Sequence, residues 1–196
     1  MTENKKYSLF IIALALLVAC NEPGKKTDVE DVVKTVSSYT TKTGINMETR
    51  KQKIEDFFIA YEKLYDNALA AEKVDADATA AVFTDCFMEA SPLGVICGKN
   101  GKEFKEKVEQ GYAFYRSIGT ESMDIVKKEI TILDEYHAMA KIHWSAGLVK
   151  KDLQEVMIEF DVIYFLQELD GKIRIFAYIA EDEQKAYKEH GIEPYK

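Results

Sequence analysis

The chain has 196 residues, a formal net charge of −8 and a pI near 5.1. Its 47% hydrophobic content suits one folded domain with a tail and excludes disorder throughout. The acidic balance without a basic stripe argues against nucleic acid as a partner. Three Cys and three His, with no CxxC or HxxxH pair, leave no expectation of a metal site or a cofactor.

Residues 1–19 read as an export leader. Lys5 and Lys6 form a positive start, and Leu9 to Val18 is an unbroken apolar run too short to span a bilayer. Leu17-Val18-Ala19-Cys20 resembles the bacterial lipobox at all four positions. The resemblance implies diacylglyceryl transfer to the Cys20 thiol, cleavage after Ala19 and acylation of the new amino group. Several acyl chains would anchor the protein stably in a lipid bilayer, where one alone is marginal. The expected location is the bacterial cell envelope, on the periplasmic side or at the cell surface. The alternative is an ordinary secretory signal or short signal anchor in which Cys20 is incidental.

Residues 20–45 read as a tether, with Pro23 and Gly24 near its start. Val29, Val32, Val33 and Val36 fall at helical spacing, but Ser37 to Gly44 is polar and Thr-rich. This stretch is either a short helix or a partly ordered linker. The domain proper is expected over 46–190. Its first helix carries Ile54, Phe57, Phe58, Tyr61, Leu64, Tyr65, Ala68 and Leu69 on one face, with charged residues on the other. Asp77 is the expected N-cap of a short helix through Phe83. Cys86 to Ala90 and Gly94 to Cys97 form a hairpin around Ser91-Pro92-Leu93-Gly94. It sets Cys86 and Cys97 diagonally, either as a disulfide or as two small buried thiols. A further helix presents Phe104, Val108, Tyr112 and Tyr115 and stops near Gly119.

Ser122 to Glu181 alternates as four strands. Asp170-Gly171 predicts a tight hairpin, placing Leu166 opposite Ile175, Tyr164 opposite Ala177 and Val162 opposite Ile179. A three-residue loop over Lys150 to Asp152 would set Ile142 against Phe160, Trp144 against Ile158, Lys141 against Asp161 and His143 against Glu159. One face is then apolar, built on Ala140, Ile142, Trp144, Ile158, Phe160, Val162, Tyr164, Ile175 and Ile179. The other carries charge pairs beside an apolar patch of Ile163, Phe165, Phe176 and Tyr178.

The order is long helix, short helix, short hairpin, helix, four-strand meander. With Asp77 to Asp85, Pro92-Leu93-Gly94 and Gly98 to Phe104, it resembles the nuclear transport factor 2-like cone fold of polyketide cyclases, scytalone dehydratases and ketosteroid isomerases. The resemblance covers roughly Asn46 to His190. It implies an α+β domain whose curved antiparallel sheet wraps around the N-terminal helices and encloses a pocket. Homodimerisation through the outer sheet face, here Phe165, Phe176 and Tyr178, is common among relatives. It carries no activity over, because no position matches the catalytic motifs of the enzymes.

Two site classes follow. Tyr61, Tyr65, Tyr112 and Tyr115 on the helices and Trp144, Phe160 and Tyr164 on the sheet face one another, with Arg116 at the rim for an anionic group. They suit a small apolar or aromatic ligand. The alternative is a lyase or isomerase using Asp161 and His143. Alternation puts both on the charged face, and only a β-bulge would carry one into the cone. A third reading is a protein-interaction module without a ligand.

Overall fold

The computed structural model describes residues 29–71, 74–150 and 152–192, with side chains from residue 47 onward except at residues 183 and 184. The leader, Cys20 and the start of the tether lie outside the described residues. Two compact units emerge, Met1–Thr41 and Lys42–Lys196; within the first, only helical backbone from Val29 onward is described. The packing, the site and the surfaces described below belong to the second.

The elements are α1 (Val29–Ala70), α2 (Ala76–Ala81), β1 (Phe83–Ser91), β2 (Gly94–Lys99), α3 (Lys102–Ser117), β3 (Thr120–Ile132), β4 (His137–Val149), β5 (Glu155–Leu169), β6 (Lys172–Ala180) and α4 (Glu183–Glu189). The two helices read from the sequence are a single helix, α1. The Thr-rich stretch contains no Pro, and one Gly costs a helix only about 1 kcal/mol against Ala, too little to break it. In α2 the cap is Asp75, not Asp77: Asp75 Oδ1 accepts from the Ala78 amide at 3.0 Å. Asp77 lies in the first turn and pairs with Lys105 of α3.

Six strands form one sheet in the order β2-β1-β6-β5-β4-β3. The fold is α+β, with the helices against the sheet's inner face. The sheet is mixed rather than wholly antiparallel, because β1 runs parallel to β6. The inner face packs Ile142, Trp144, Ile158, Leu166 and Ile175 against Ile54, Phe58 and Tyr61 of α1. Burying side chains of this size contributes about 2 kcal/mol each.

The predicted β4–β5 register is corrected, and the β5–β6 register holds only at its turn end. The β4–β5 loop is longer than three residues, closing through Lys150 N–H to the Gln154 carbonyl at 2.9 Å. Trp144 therefore pairs with Phe160, His143 with Asp161 and Lys141 with Ile163. The slip is two residues, so each side chain keeps its face. The β5–β6 turn does use Asp170 and Gly171, at φ 52° and 71°, and Leu166 pairs with Ile175. One residue later a bulge at Phe176 shifts the pairing, so that Tyr164 meets Tyr178 and Ile163 meets Ile179. A one-residue slip exchanges the faces. Tyr178 moves inside and Ile179 moves outside, where it is 45% exposed.

Polar groups tie the layers together. Arg50, 8% exposed, reaches from α1 to the Asp134 carbonyl and to Glu168, which also accepts from Lys53 at 2.7 Å. Another register shift lies in β3 between Ile125 and Lys127. There the Ile125 amide donates to Glu62 of α1 at 2.5 Å, so a backbone group freed by the irregularity is satisfied across the layers. Asn100 Nδ2 donates to the Ala80 and Phe83 carbonyls and holds α2 against the first hairpin. Cys86 and Cys97 are diagonal, as their pairing with Lys99 and Met88 requires, but both are free and exposed rather than buried.

Candidate functional site

A cavity of about 300 Å³ opens between α1 and the inner face of the sheet. Its helical wall is Tyr61 and Tyr65, four residues apart and therefore on one face of α1. The sheet supplies Trp144, Phe160, Tyr164 and Tyr178 from three neighbouring strands, and α3 contributes Tyr115. The rings meet edge to face: Tyr61 lies 6.1 Å from Trp144 at 80° and 6.0 Å from Tyr164 at 86°. Tyr65 lies 5.2 Å from Trp144. Such pairs prefer tilted geometry because each ring has a negative face and a positive edge.

The polar tips of these rings set the cavity's chemistry. The Tyr61 and Tyr65 hydroxyls stand 3.4 Å apart. Burial pushes the Tyr61, Tyr65 and Tyr164 phenols above their ordinary range. At Tyr61 the hydrogen bonds with Tyr65 and Tyr164 oppose that rise; at Tyr65 the other phenols add to it. All three are neutral hydroxyls at physiological pH. The Trp144 indole lies close enough to Tyr164 to temper its phenol, yet stands outside hydrogen-bonding geometry. Trp144 is 1% exposed and its Nε1 has no acceptor among the protein atoms.

At the exposed end of the cavity the lining changes to Glu89, Ser91, Glu181 and Asp182. Tyr178 donates to Glu89 Oε2 at 2.7 Å, fixing one of these carboxylates. Asp182 accepts from the Lys185 amide at 3.0 Å as the N-cap of α4.

Of the residues singled out by sequence, Tyr61, Tyr65, Tyr115, Trp144, Phe160 and Tyr164 line this cavity. Tyr112 lies instead in a smaller neighbouring pocket of about 140 Å³, shared with Thr79, Phe104 and Val108 and walled by the same Tyr61 and Tyr65. Arg116 is at neither rim. Its Nη1 donates to the Ala68 carbonyl at 2.7 Å, which fastens α3 to the end of α1. Sequence reasoning missed Glu89 and Tyr178. Glu89 belongs to β1, whose parallel pairing with β6 has no local signal, and Tyr178 was placed outside because the bulge at Phe176 is invisible in the alternation.

Asp161 and His143 lie on the opposite face of the sheet from the cavity. They line a shallow groove with Lys127, Glu129 and Lys141. Asp161 bonds Lys141 at 2.7 Å and His143 Nδ1 at 2.8 Å, while His143 Nε2 meets Glu159 at 3.3 Å. The bond to Asp161 raises His143 above its ordinary value, and Lys141 and His143 hold Asp161 below its own. A carboxylate stabilised as its anion is a weak base, the reverse of what proton abstraction in an apolar cone requires. No bulge separates the two, so neither enters the cavity. Among the described residues no cluster of three or more His, Cys, Asp or Glu side chains is placed to hold a metal ion.

A curved sheet closing on helices in this way is the arrangement of the NTF2-like fold. Residues 50–183 match the family described as NTF2-like protein (DUF6841), and the chain belongs to that family. No curated protein matches the chain. Among solved structures, an NTF2-like protein with a cystatin-like fold from Novosphingobium aromaticivorans is similar at 12% identity and TM-score 0.56, over 72% of this chain and 86% of that one. An NTF-2 like protein of unknown function from Shewanella oneidensis matches at 18% identity and TM-score 0.53, over 68% of this chain and 99% of the other. The association domain of C. elegans CaMKII matches at 11% identity and TM-score 0.52, over 68% and 95%.

Proposed function

We propose that the domain, spanning 46–190, binds a small apolar or aromatic molecule in the cavity between α1 and the sheet, and does so without converting it. The observation that carries this reading is the cavity wall: Tyr61, Tyr65, Trp144 and Tyr164 surround about 300 Å³ of space instead of filling it. A core built only for stability would pack such rings to crystal density. The one acid–base pair offered for catalysis, Asp161 with His143, faces the other way. Crystals soaked with 2-naphthol test the reading: density for the ring against Trp144 supports it, and an unchanged interior at saturating concentration refutes it.

The same proposal places the domain at a bacterial envelope membrane, held by an acylated Cys20 after cleavage of residues 1–19, with 20–45 as the tether. The support is the lipobox pattern Leu17-Val18-Ala19-Cys20 behind an apolar run. Labelled palmitate should enter the wild-type protein and not Cys20→Ala; equal labelling of both contradicts it.

A second copy of the chain is the partner proposed for the outer sheet face. In register across the sheet lie Val95, Ala90, Ile179 and Ile163, followed by Cys97, Met88, Ala177, Phe165 and Met139 in the next row. Val95 is 67% exposed and Met88 and Ile179 are exposed too. Exposed apolar side chains grouped in this way favour association. Phe165 and Phe176 pack at 6.1 Å on this side. Tyr178, expected there, belongs to the cavity.

A further inference from the structure

The two ends of the cavity differ in chemistry. The buried end is made of ring faces and neutral hydroxyls, and the exposed end carries three carboxylates, Glu89, Glu181 and Asp182. Among the described residues no Lys, Arg or His lines the cavity. Both ends therefore favour the same sign of charge. Phenol and indole faces attract cations through their quadrupoles, and carboxylates do so directly. An anionic ligand would meet repulsion at the mouth and find no basic side chain inside.

The three carboxylates are not equivalent. Glu89 is half-buried and held by the Tyr178 hydroxyl, so it is already ordered. Tyr178 in turn stands 6.2 Å from Tyr164, which ties the acidic end to the aromatic wall. Asp182 spends one oxygen on capping α4. Glu181 is exposed and also feels Lys141 from the far side of the sheet. Glu89 is thus the carboxylate best placed against a bound molecule.

Resting on the binding reading above, we infer that the cavity selects an organic cation: a molecule with an aromatic or apolar body and a protonated or quaternary amine beside Glu89. The body lies between Tyr61, Tyr65 and Trp144, and the amine sits where the ring wall gives way to carboxylate. The chain's net charge of −8 draws such a ligand from a distance.

Calorimetric titration of the full chain at low salt tests this with three molecules of one shape: 4-phenylbutylamine, 4-phenylbutanol and 4-phenylbutyrate. The amine should bind about tenfold more tightly than the alcohol, and the acid most weakly. Glu89→Gln, which keeps an acceptor for Tyr178, should bring the amine down toward the alcohol. Glu181→Gln alters an exposed side chain, and it should narrow the same gap. An amine that binds no better than the alcohol overturns the cation assignment and leaves the apolar-ligand reading standing. So does an amine preference that survives both variants. Binding by none of the three overturns both readings together.

Discussion

At the scale of single residues, positions far from the cavity decide whether it exists. Gly119 ends α3 at φ 83°, and a Cβ there would stand 2.2 Å from the Val149 carbonyl oxygen. Gly119→Ala combines strain with a backbone collision and should lower stability by about 2 kcal/mol or more in urea denaturation. Arg50 ties α1 to the β3–β4 turn and to Glu168. Arg50→Met leaves the Asp134 carbonyl without its donor and should cost about 2 kcal/mol by the same measurement. The outer-face pair gives a pH signature. Because Asp161 raises His143, that contribution is complete below the ordinary histidine value and is lost as pH rises through the raised one. Asp161 works the opposite way: its contribution is present above the ordinary carboxylate range and is lost as pH falls through its lowered value. Stability of the wild type should therefore fall slightly as pH rises above the ordinary histidine range, and His143→Gln should flatten that fall. An unchanged slope in the variant would assign the fall elsewhere.

At the scale of elements, what the sequence made legible depended on how local the determinant was. The face of α1 repeats for over four turns, so Tyr61 and Tyr65 were readable as inward. The Asp170-Gly171 turn is local and set the first pairs of its hairpin. In the β4–β5 hairpin the loop length was misjudged, but by an even number of residues, so Trp144 and Phe160 stayed on the inner face. The bulge at Phe176 is an odd shift and left no trace in the alternation of apolar residues; Tyr178 and Ile179 are both apolar enough to sit on either side. The parallel pairing of β1 with β6 joins residues about ninety apart, such as Glu89 and Tyr178. That is why the acidic end of the cavity could not be foreseen. Arg116 was misread for a related reason: its partner is a backbone carbonyl of α1, which no side-chain pattern announces. Tyr178→Phe tests the element-scale account. It should leave the fold intact and weaken amine binding severalfold by freeing Glu89; an unchanged affinity would mean that the pair has no part in binding.

At the scale of the whole molecule, the sheet separates two surfaces with different proposed tasks. The inner face holds the cavity, and the outer face offers apolar rows to a second copy. Ile179 sits among those rows because of the same bulge that sends Tyr178 inward, so one irregularity serves both faces. Ile179→Lys should shift sedimentation equilibrium toward monomer without changing ligand affinity. A wild type that is already monomeric at high concentration contradicts the dimer.

The cavity is the central claim, and the chain carries its own reporter. Trp144 is the single tryptophan and stands in the cavity wall, so its emission reads that site alone. Titration with 4-phenylbutylamine, which does not absorb at the excitation wavelength of indole, should change Trp144 emission along a saturable curve, and Glu89→Gln should move the midpoint to higher concentration. Emission that stays flat, or drifts linearly without saturating, would contradict a binding site between α1 and the sheet.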